Sequence, residues 1–347
     1  MPTSKDTKAI RDAKAAPGRT MKAIVRHEYG PPEVLELQET DTPTITDDEI
    51  LVRVHSSSVN PMEWHLMTGK PIIARMSSGL RKPKNHGLGA DLAGVVAAVG
   101  KNVTEFKPGD EVFGEGRAVY AEYVSVSEDS VALKPKNLTF DQAGTVAIAA
   151  FTALQGLRDK GKLKPGDKVL VNGASGGVGT YAVQIAKAMG AEVTAVCSSR
   201  NVDMVRSIGA DRVIDYTSED FVKGGERYDV FLDTVGKRSV LTSRSVLAAE
   251  GIYIGVGGPK STVGLLSRMV WMMIVSLAGK RKMGVMLARF NKEDLMTLRG
   301  LLESGEVTPV IDRHYSLSEV PDALRYQGEG HAQGKTVITI FAATQEI

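Results

Sequence analysis

The sequence predicts an α/β protein in two parts: an antiparallel, barrel-like module of short strands and a doubly wound parallel sheet. Three observations predict it. From Met21 to about Asn137 the chain is a series of short apolar or alternating runs cut by glycine turns, as half-buried antiparallel strands require. After Leu138, apolar strand-like runs alternate with amphipathic stretches that stop at glycine, the pattern of a parallel sheet covered by helices. Within that second part "VNGASGGVGTYAVQIAKAMGAEVTAVCSSRN", Val171 to Asn201, reads as strand, glycine turn, helix and strand.

The elements follow in order. "MKAIV" from Met21 is a short apolar strand, and "EILVRVHSSSVN" alternates apolar and polar from Ile50 to Val54. "DLAGVVAAVG" is a third strand ending at Gly100, and "FKPGDEVFGEG" is a strand between two turns, with Pro108-Gly109 as the breaker. "AEYVSVSEDSVALKPKN" alternates again. "TFDQAGTVAIAAFTALQGL" is helical, with Thr139 or Asp141 as N-cap. Then come "KVLVNGA" (strand), "GVGTYAVQIAKAMG" (helix stopped by Gly190), "AEVTAVCSS" (strand) and "NVDMVRSIGA" (helix stopped by Gly209). Strands at "DRVIDY", "YDVFLDTVG" and "GIYIGVGG", a helix at "NKEDLMTLRGLLESGEV", and a closing strand, helix and strand complete the chain.

Composition narrows the function classes. The 347 residues suffice for two domains, and a formal net charge of +2 provides no basic field for nucleic acid. The single cysteine, Cys197, excludes an internal disulfide and a multi-cysteine zinc site. It fits a reducing compartment, and a cytoplasmic location is expected. The first twenty residues read as a mobile tail without the apolar run of a secretory signal; Asp6 and Asp12 count against a mitochondrial transit peptide. "VGLLSRMVWMMIVSLAG", Val263 to Gly279, is short for a membrane span and holds Arg268, so it reads as a buried or interface helix, or a pliable pocket wall, with no membrane partner expected.

The glycine turn carries the clearest chemistry. Ala174-x-Gly176-x-x-Gly179 matches the dinucleotide fingerprint, with Ser175, Gly177 and Val178 filling the turn. Gly176 lets the backbone approach a pyrophosphate, Gly179 lets the helix pack on the sheet, and the helix N-terminus offers free N–H groups to phosphate. The second strand then ends not in an acid but in Cys197, Ser198, Ser199 and Arg200. Two hydroxyls and a guanidinium suit a 2′-phosphate, with Tyr216 after the third strand in reach of the same corner, so NADP(H) is expected over NAD(H). The competing reading is that the serines only start the next helix and Arg200 is solvated.

Taken together, "MKAIV", "VNPMEW", "LGADLAGVVAAVG", "KPGDEVFG", "AGTVAIAAFTAL", "NGASGGVGTYAVQIAK", "GADRVIDY" and "GKTVI" resemble the medium-chain dehydrogenase/reductase superfamily, and within it the zinc-free quinone oxidoreductase branch. The resemblance spans Met21 to about Phe341. It implies a GroES-like β-barrel catalytic domain (residues 21–148) after a tail (1–20), a Rossmann domain (149–290), and a C-terminal segment (291–347) completing the catalytic domain, with the active cleft between the two domains. It also implies a homodimer.

Zinc-dependent members hold their metal with a cysteine, a histidine beside a glutamate, and a third cysteine or acid. Those positions fall here on Asn60, on Ala90 within Gly89-Ala90-Asp91, and near Ile148, none of which suits zinc. Without a Lewis acid, hydride transfer from NADPH to a conjugated acceptor, a quinone or an α,β-unsaturated carbonyl, is the expected reaction. The resemblance places Asn60 beside the nicotinamide, as donor to the carbonyl oxygen; the bland alternative is a strand-end residue at the Pro61 turn. His65 is a candidate proton donor or an ordinary surface histidine, and Glu63 and Trp64 are expected near the mouth, with Trp64 equally a core residue. Thr152, Val235, Gly255, Val256, Gly257 and Lys335 are candidate cofactor contacts. Their alternatives are a helix-interior hydroxyl, turn glycines and a solvated lysine. Loops such as Met67 to Lys84 and the Met-rich segment would shape the pocket. Two other readings stay open: a zinc-independent aldehyde reductase, and an NADPH-binding sensor or scaffold with little catalysis.

Overall fold

A computed structural model describes residues 20–72, 74–259, 261–277, 279–330 and 332–341. Most of the expected tail lies outside them, and Thr20, assigned to it, instead opens the first strand. The chain builds β1 (Thr20–Val25), β2 (Glu36–Asp41), β3 (Glu49–Val59), β4 (Asp91–Val99), β5 (Glu111–Glu115), β6 (Tyr123–Ser127) and β7 (Val131–Leu133). It then builds β8 (Lys168–Asn172), β9 (Glu192–Cys197), β10 (Arg212–Asp215), β11 (Tyr228–Asp233), β12 (Leu247–Gly255), β13 (Lys282–Val285), β14 (Ile311–Ser316) and β15 (Lys335–Thr339).

Two large sheets result. β8 to β13 form a six-stranded sheet in the order β10-β9-β8-β11-β12-β13, every neighbouring pair parallel. The order reverses at β8, the switch point at whose strand ends ligands bind in such sheets. The other sheet runs β14-β15-β3-β4-β5-β7 with β6 also on β3, and β1 and β2 form a ribbon beside it. The last strands thus return to the first part of the chain: β15 pairs with β3, Thr336 opposite Val59.

β3 runs five residues beyond the alternating stretch, through His55 and the three serines. Pairing explains this. β4 takes its backbone on one side, β15 on the other, and the serine side chains are small enough to be buried between them. Helix Lys292–Glu303, assigned from sequence to the catalytic side, packs Leu295, Leu298 and Leu302 into the parallel-sheet core beside Ala150 and Phe151. The chain re-enters the catalytic sheet only at β14.

Helix Thr262–Leu277 turns Met272 and Val275 inward against Tyr253, Val246 and Met283. Its remaining face, apolar as well, is exposed, so the expectation of a buried helix describes one side of it only. Among the described residues no helix is long and apolar enough to cross a membrane.

Candidate functional site

The two sheets meet at the glycine turn. Gly176 bridges Gly334, whose N–H donates to Ser175 O at 2.8 Å, and Lys335 N donates to Val310 O at 2.8 Å. Helix Gly177–Ala188 starts here with Gly176 as N-cap. Its geometry leaves the N–H groups of Gly177, Val178 and Gly179 without intrahelical acceptors. Gly179 has no space for a side chain: a Cβ would stand 2.1 Å from Gly173 O. That contact sets the helix tight on the strand and aims its N-terminus at the switch point. Gly176 by contrast has only Gly173 O within 4 Å of an added Cβ, at 3.5 Å, so the outer side of the turn is open to a pyrophosphate.

Beside the turn lies a buried polar cluster. The Lys335 stem passes Gly177, where a Cβ would meet Lys335 Cδ at 3.0 Å. Its Nζ donates to Asn60 Oδ1 at 2.5 Å, Asp91 Oδ2 at 3.1 Å and Val59 O at 3.4 Å, which uses all three ammonium protons. Asn60 Nδ2 donates to Asp91 Oδ2 at 3.0 Å, Ser58 Oγ donates to the same oxygen, and Ile148 N donates to Asp91 Oδ1 at 2.8 Å. Asp91 therefore sits at the N-terminus of helix Ala147–Gln155, where a carboxylate is favoured. Lys335 and Asp91 form an ion pair with side chains 2% and 0% exposed. Lys335 is thus no solvated lysine; three strands and a helix converge to hold it.

Asn60 follows β3 directly and caps helix Pro61–Thr68, and its N–H donates to Glu63 Oε2 at 2.8 Å. Glu63 is not at the mouth, as expected from sequence, but completely buried, because the reciprocal capping bond draws it beneath Asn60. Its Oε1 has no partner among the described residues. Burial, and then the nearby Asp91 charge, push its carboxyl up to about 7. Trp64 packs against Gly328 of helix Val320–Glu329, the core alternative. His65 donates Nδ1–H to Lys70 O at 2.7 Å, which leaves Nε2 outside that bond. Thr152 gives its hydroxyl proton to Ile148 O at 2.7 Å, the helix-interior alternative.

At the far end of the turn, β9 delivers Ser198, Ser199 and Arg200 to a corner shared with exposed Tyr216. Two residues there escaped the sequence reading. Buried Asn201 donates Nδ2–H to Ser175 Oγ at 3.0 Å and Ser198 Oγ at 3.3 Å, tying the corner to the turn. Asp215, last in β10, accepts from Thr217 N at 2.9 Å and Thr217 Oγ1 at 2.7 Å, and Ser199 Oγ lies 2.9 Å from Thr217 Oγ1. These bonds hold the Asp215 carboxyl below its ordinary range, so an acid does stand near the corner, on the third strand rather than the second. Burial, with Asp215 adding to it, pushes the Cys197 thiol up to about 11, which leaves it inert at neutral pH. At the ends of β11 and β12, Asp233 accepts from Asn172 Nδ2, Tyr253 OH, Val235 N and Gly236 N, and its own carbonyl accepts from Val256 N and Gly257 N. The candidate residues Val235, Gly255, Val256 and Gly257 are fixed there by backbone bonds, facing the same switch point.

Among the described residues no three His, Cys, Asp or Glu side chains come together to hold a metal ion. The positions equivalent to zinc ligands do not fit one: Ala90 has no donor atom, Ile148 offers its N–H to Asp91, and Asn60 Oδ1 faces the Lys335 ammonium.

The family model described as an alcohol dehydrogenase GroES-like domain matches residues 46–136, and the one described as a zinc-binding dehydrogenase matches residues 208–338. The chain is 34% identical to the mitochondrial NAD(P)H oxidoreductase RTN4IP1 of Mus musculus, covering 94% of this chain and 91% of the mouse protein. It is 33% identical to the 2-methylene-furan-3-one reductase of Solanum lycopersicum, covering 92% of this chain and 79% of the tomato protein. The solved quinone oxidoreductase of Coxiella burnetii superposes with a TM-score of 0.82 at 32% identity, over 93% of this chain and all of that one. With the barrel, the 3-2-1-4-5-6 order of the parallel strands and the glycine turn in place, the chain belongs to the medium-chain dehydrogenase/reductase superfamily, in its quinone oxidoreductase-like branch.

Proposed function

We propose that this chain is a zinc-independent, NADPH-dependent oxidoreductase that delivers hydride to a quinone or an α,β-unsaturated carbonyl. The observation that carries the proposal is the Lys335–Asn60–Asp91 cluster. At the place where zinc-dependent members polarise an alcohol oxygen, this chain has a fixed ammonium and a neutral amide. Such a site cannot lower an alcohol's pKa as a metal does, whereas a conjugated acceptor needs only a donor for the charge that develops on its oxygen. The names of the relatives agree: a 2-methylene-furan-3-one is itself a conjugated enone, and the Coxiella protein is a quinone oxidoreductase.

Bound in the cleft, NADPH supplies the hydride. The chain supplies the rest. The free N–H groups of Gly177, Val178 and Gly179 hold the pyrophosphate, and Ser198, Ser199 and Arg200 take the 2′-phosphate while Asp215 is occupied by Thr217. Asn60 has one Nδ2–H left after Asp91 takes the other, and in this reading that proton is donated to the acceptor's carbonyl oxygen. Lys335 fixes the amide by claiming Oδ1, so it acts on the substrate through Asn60. In this reading solvent supplies the proton that completes the reaction, through His65 Nε2 when the ring is an imidazolium. A homodimer through the free edge of β13 and a cytoplasmic location complete this reading.

The test is turnover of NADPH with an ortho-quinone, a 2-alkenal and a simple aldehyde, with products identified. Consumption of quinone or alkenal, with a saturated aldehyde as the alkenal product, is expected. Turnover of the simple aldehyde alone would refute it.

A further inference from the structure

We propose that Glu115 is a specificity-determining residue of the cleft: its carboxylate admits uncharged conjugated acceptors and rejects those that carry a negative charge. The inference rests on the reading of the Asn60 side of the cleft as the acceptor site.

Strand register places Glu115 there. β4 and β5 pair antiparallel, with Ala93 opposite Phe113 and Asp91 opposite Glu115. Side chains alternate between the two faces of a strand. Leu92 and Val112 point into the barrel core, whereas Ala93 and Phe113 join the core that holds Ala150 and Phe151 of helix Ala147–Gln155. Asp91 and Glu115 belong to that second face, one step further along, where the helix begins. Ile148 N, in its first turn, donates to Asp91 Oδ1 at 2.8 Å. Asn60 Nδ2, the donor for the acceptor's oxygen, stands 3.0 Å from Asp91 Oδ2. Asp91 is completely buried; Glu115 is half-buried, so of the two acids it is the one an acceptor can meet.

Among the described residues no contact explains an acid at this position. Gly116 N donates to Ala90 O at 2.8 Å, which makes Ala90 and Gly116 a hydrogen-bonded pair. Asp91 and Glu115 are then the adjacent non-hydrogen-bonded pair, in which side chains stand closest. Like charges in such a pair cost stability. Asp91 is compensated by the donors Ser58, Asn60, Ile148 and Lys335. Among the described residues no hydrogen bond or ion pair engages the Glu115 carboxyl. Burial, and then the Asp91 charge, raise its pKa above the ordinary value, while Arg117, exposed two residues on, works in the other direction. An acid that costs stability and meets no partner points to the cleft it faces.

The charge balance gives its effect. Lys335 is matched by Asp91, so Glu115 leaves the acceptor side of the cluster with an uncompensated negative charge. Two like charges roughly 7 Å apart at an effective dielectric of about 20 correspond to about 50-fold weaker binding, which partial exposure and salt reduce to about tenfold.

The test is binding of para-carboxycinnamaldehyde and of its methyl ester to the complex of the full chain with NADP+, in which no hydride is available, by calorimetry at about pH 8, where the benzoate is ionised. The two ligands share the enal and the ring and differ in charge. The wild type should bind the ester at least about tenfold tighter than the carboxylate, with the gap narrowing as salt rises. Glu115→Gln should bring the two within about threefold by tightening the carboxylate, and Glu115→Asp should keep most of the gap. Glu115→Gln should melt no lower than the wild type, since it removes a like charge opposite Asp91. Equal binding of the two ligands by the wild type, or an undiminished gap in Glu115→Gln, would overturn the proposal. Turnover of the ester with NADPH tests the functional reading separately: reduction without a gap would overturn the role of Glu115 alone, and a gap without reduction would support that role while refuting hydride transfer to this acceptor.

Discussion

Replacing Glu63 by glutamine isolates the least comfortable group in the cluster. The carboxyl is fully buried with Oε1 unpartnered, and its pKa is raised from an ordinary 4.5 to about 7, chiefly by burial. An acid with a raised folded-state pKa holds its proton longer in the native state than in the unfolded chain. Its contribution to stability is therefore complete below about pH 4.5 and is lost as pH rises through about 7. The gap is worth about 3.4 kcal/mol in total at about 1.36 kcal/mol per pKa unit, of which about 2 kcal/mol falls between about pH 5.5 and about pH 8.5. Glutamine keeps an oxygen for the Asn60 N–H and does not titrate. Urea unfolding of wild type and Glu63→Gln across that window removes every titration the two share. The expected result is a Glu63→Gln advantage that grows by about 2 kcal/mol toward high pH. Parallel stability curves would refute the assignment of a raised pKa to Glu63.

Three further outcomes follow from the same contacts. Lys335→Met and Asp91→Asn should each cost about 3–5 kcal/mol, because each strands a buried partner; the double variant should cost less than the sum, and strict additivity in urea unfolding would contradict the coupling. Gly179→Ala should lose about 1–3 kcal/mol and bind NADPH more weakly, since its Cβ would stand 2.1 Å from Gly173 O; an unchanged melting temperature and NADPH dissociation constant would remove that glycine from the account. Arg200→Ala should raise the KM for NADPH about 10- to 100-fold and leave NADH nearly unaffected, and an equal effect on both would exclude it from the 2′-phosphate corner.

The parts of the molecule that repeat a simple period were legible in its sequence. The strand–turn–helix–strand unit from Val171 to Asn201 and the alternating antiparallel strands appear where periodicity and glycine placed them. The polar interior was not legible. The alternating pattern stopped at Val54, and only the register of β3 between β4 and β15 explains how the three consecutive serines stay in the strand. Glu63 was assigned to the mouth although Asn60-Pro61-Met62-Glu63 has capping-box spacing; that spacing was the signal for a helix start with the glutamate folded back under it. Asp91 was read only as part of a metal element that lacks its histidine. Its role as the acceptor shared by Ser58, Asn60, Ile148 and Lys335 depends on residues up to 244 positions apart, which no local pattern connects. Asp215 was overlooked because the search for an acid stopped at the second strand, while β10 places one beside the same corner. The four-residue edge strand β13 has too few residues to show a period.

The central claim is where the hydride goes. The direct measurement is reduction of a 2-alkenal with NADPH deuterated at nicotinamide C4, and location of the label in the product by NMR. The account predicts deuterium on the β-carbon of a saturated aldehyde, with the α-proton drawn from solvent. Deuterium on the carbonyl carbon of an allylic alcohol would contradict it, and would return the chain to carbonyl reduction of the alcohol dehydrogenase kind.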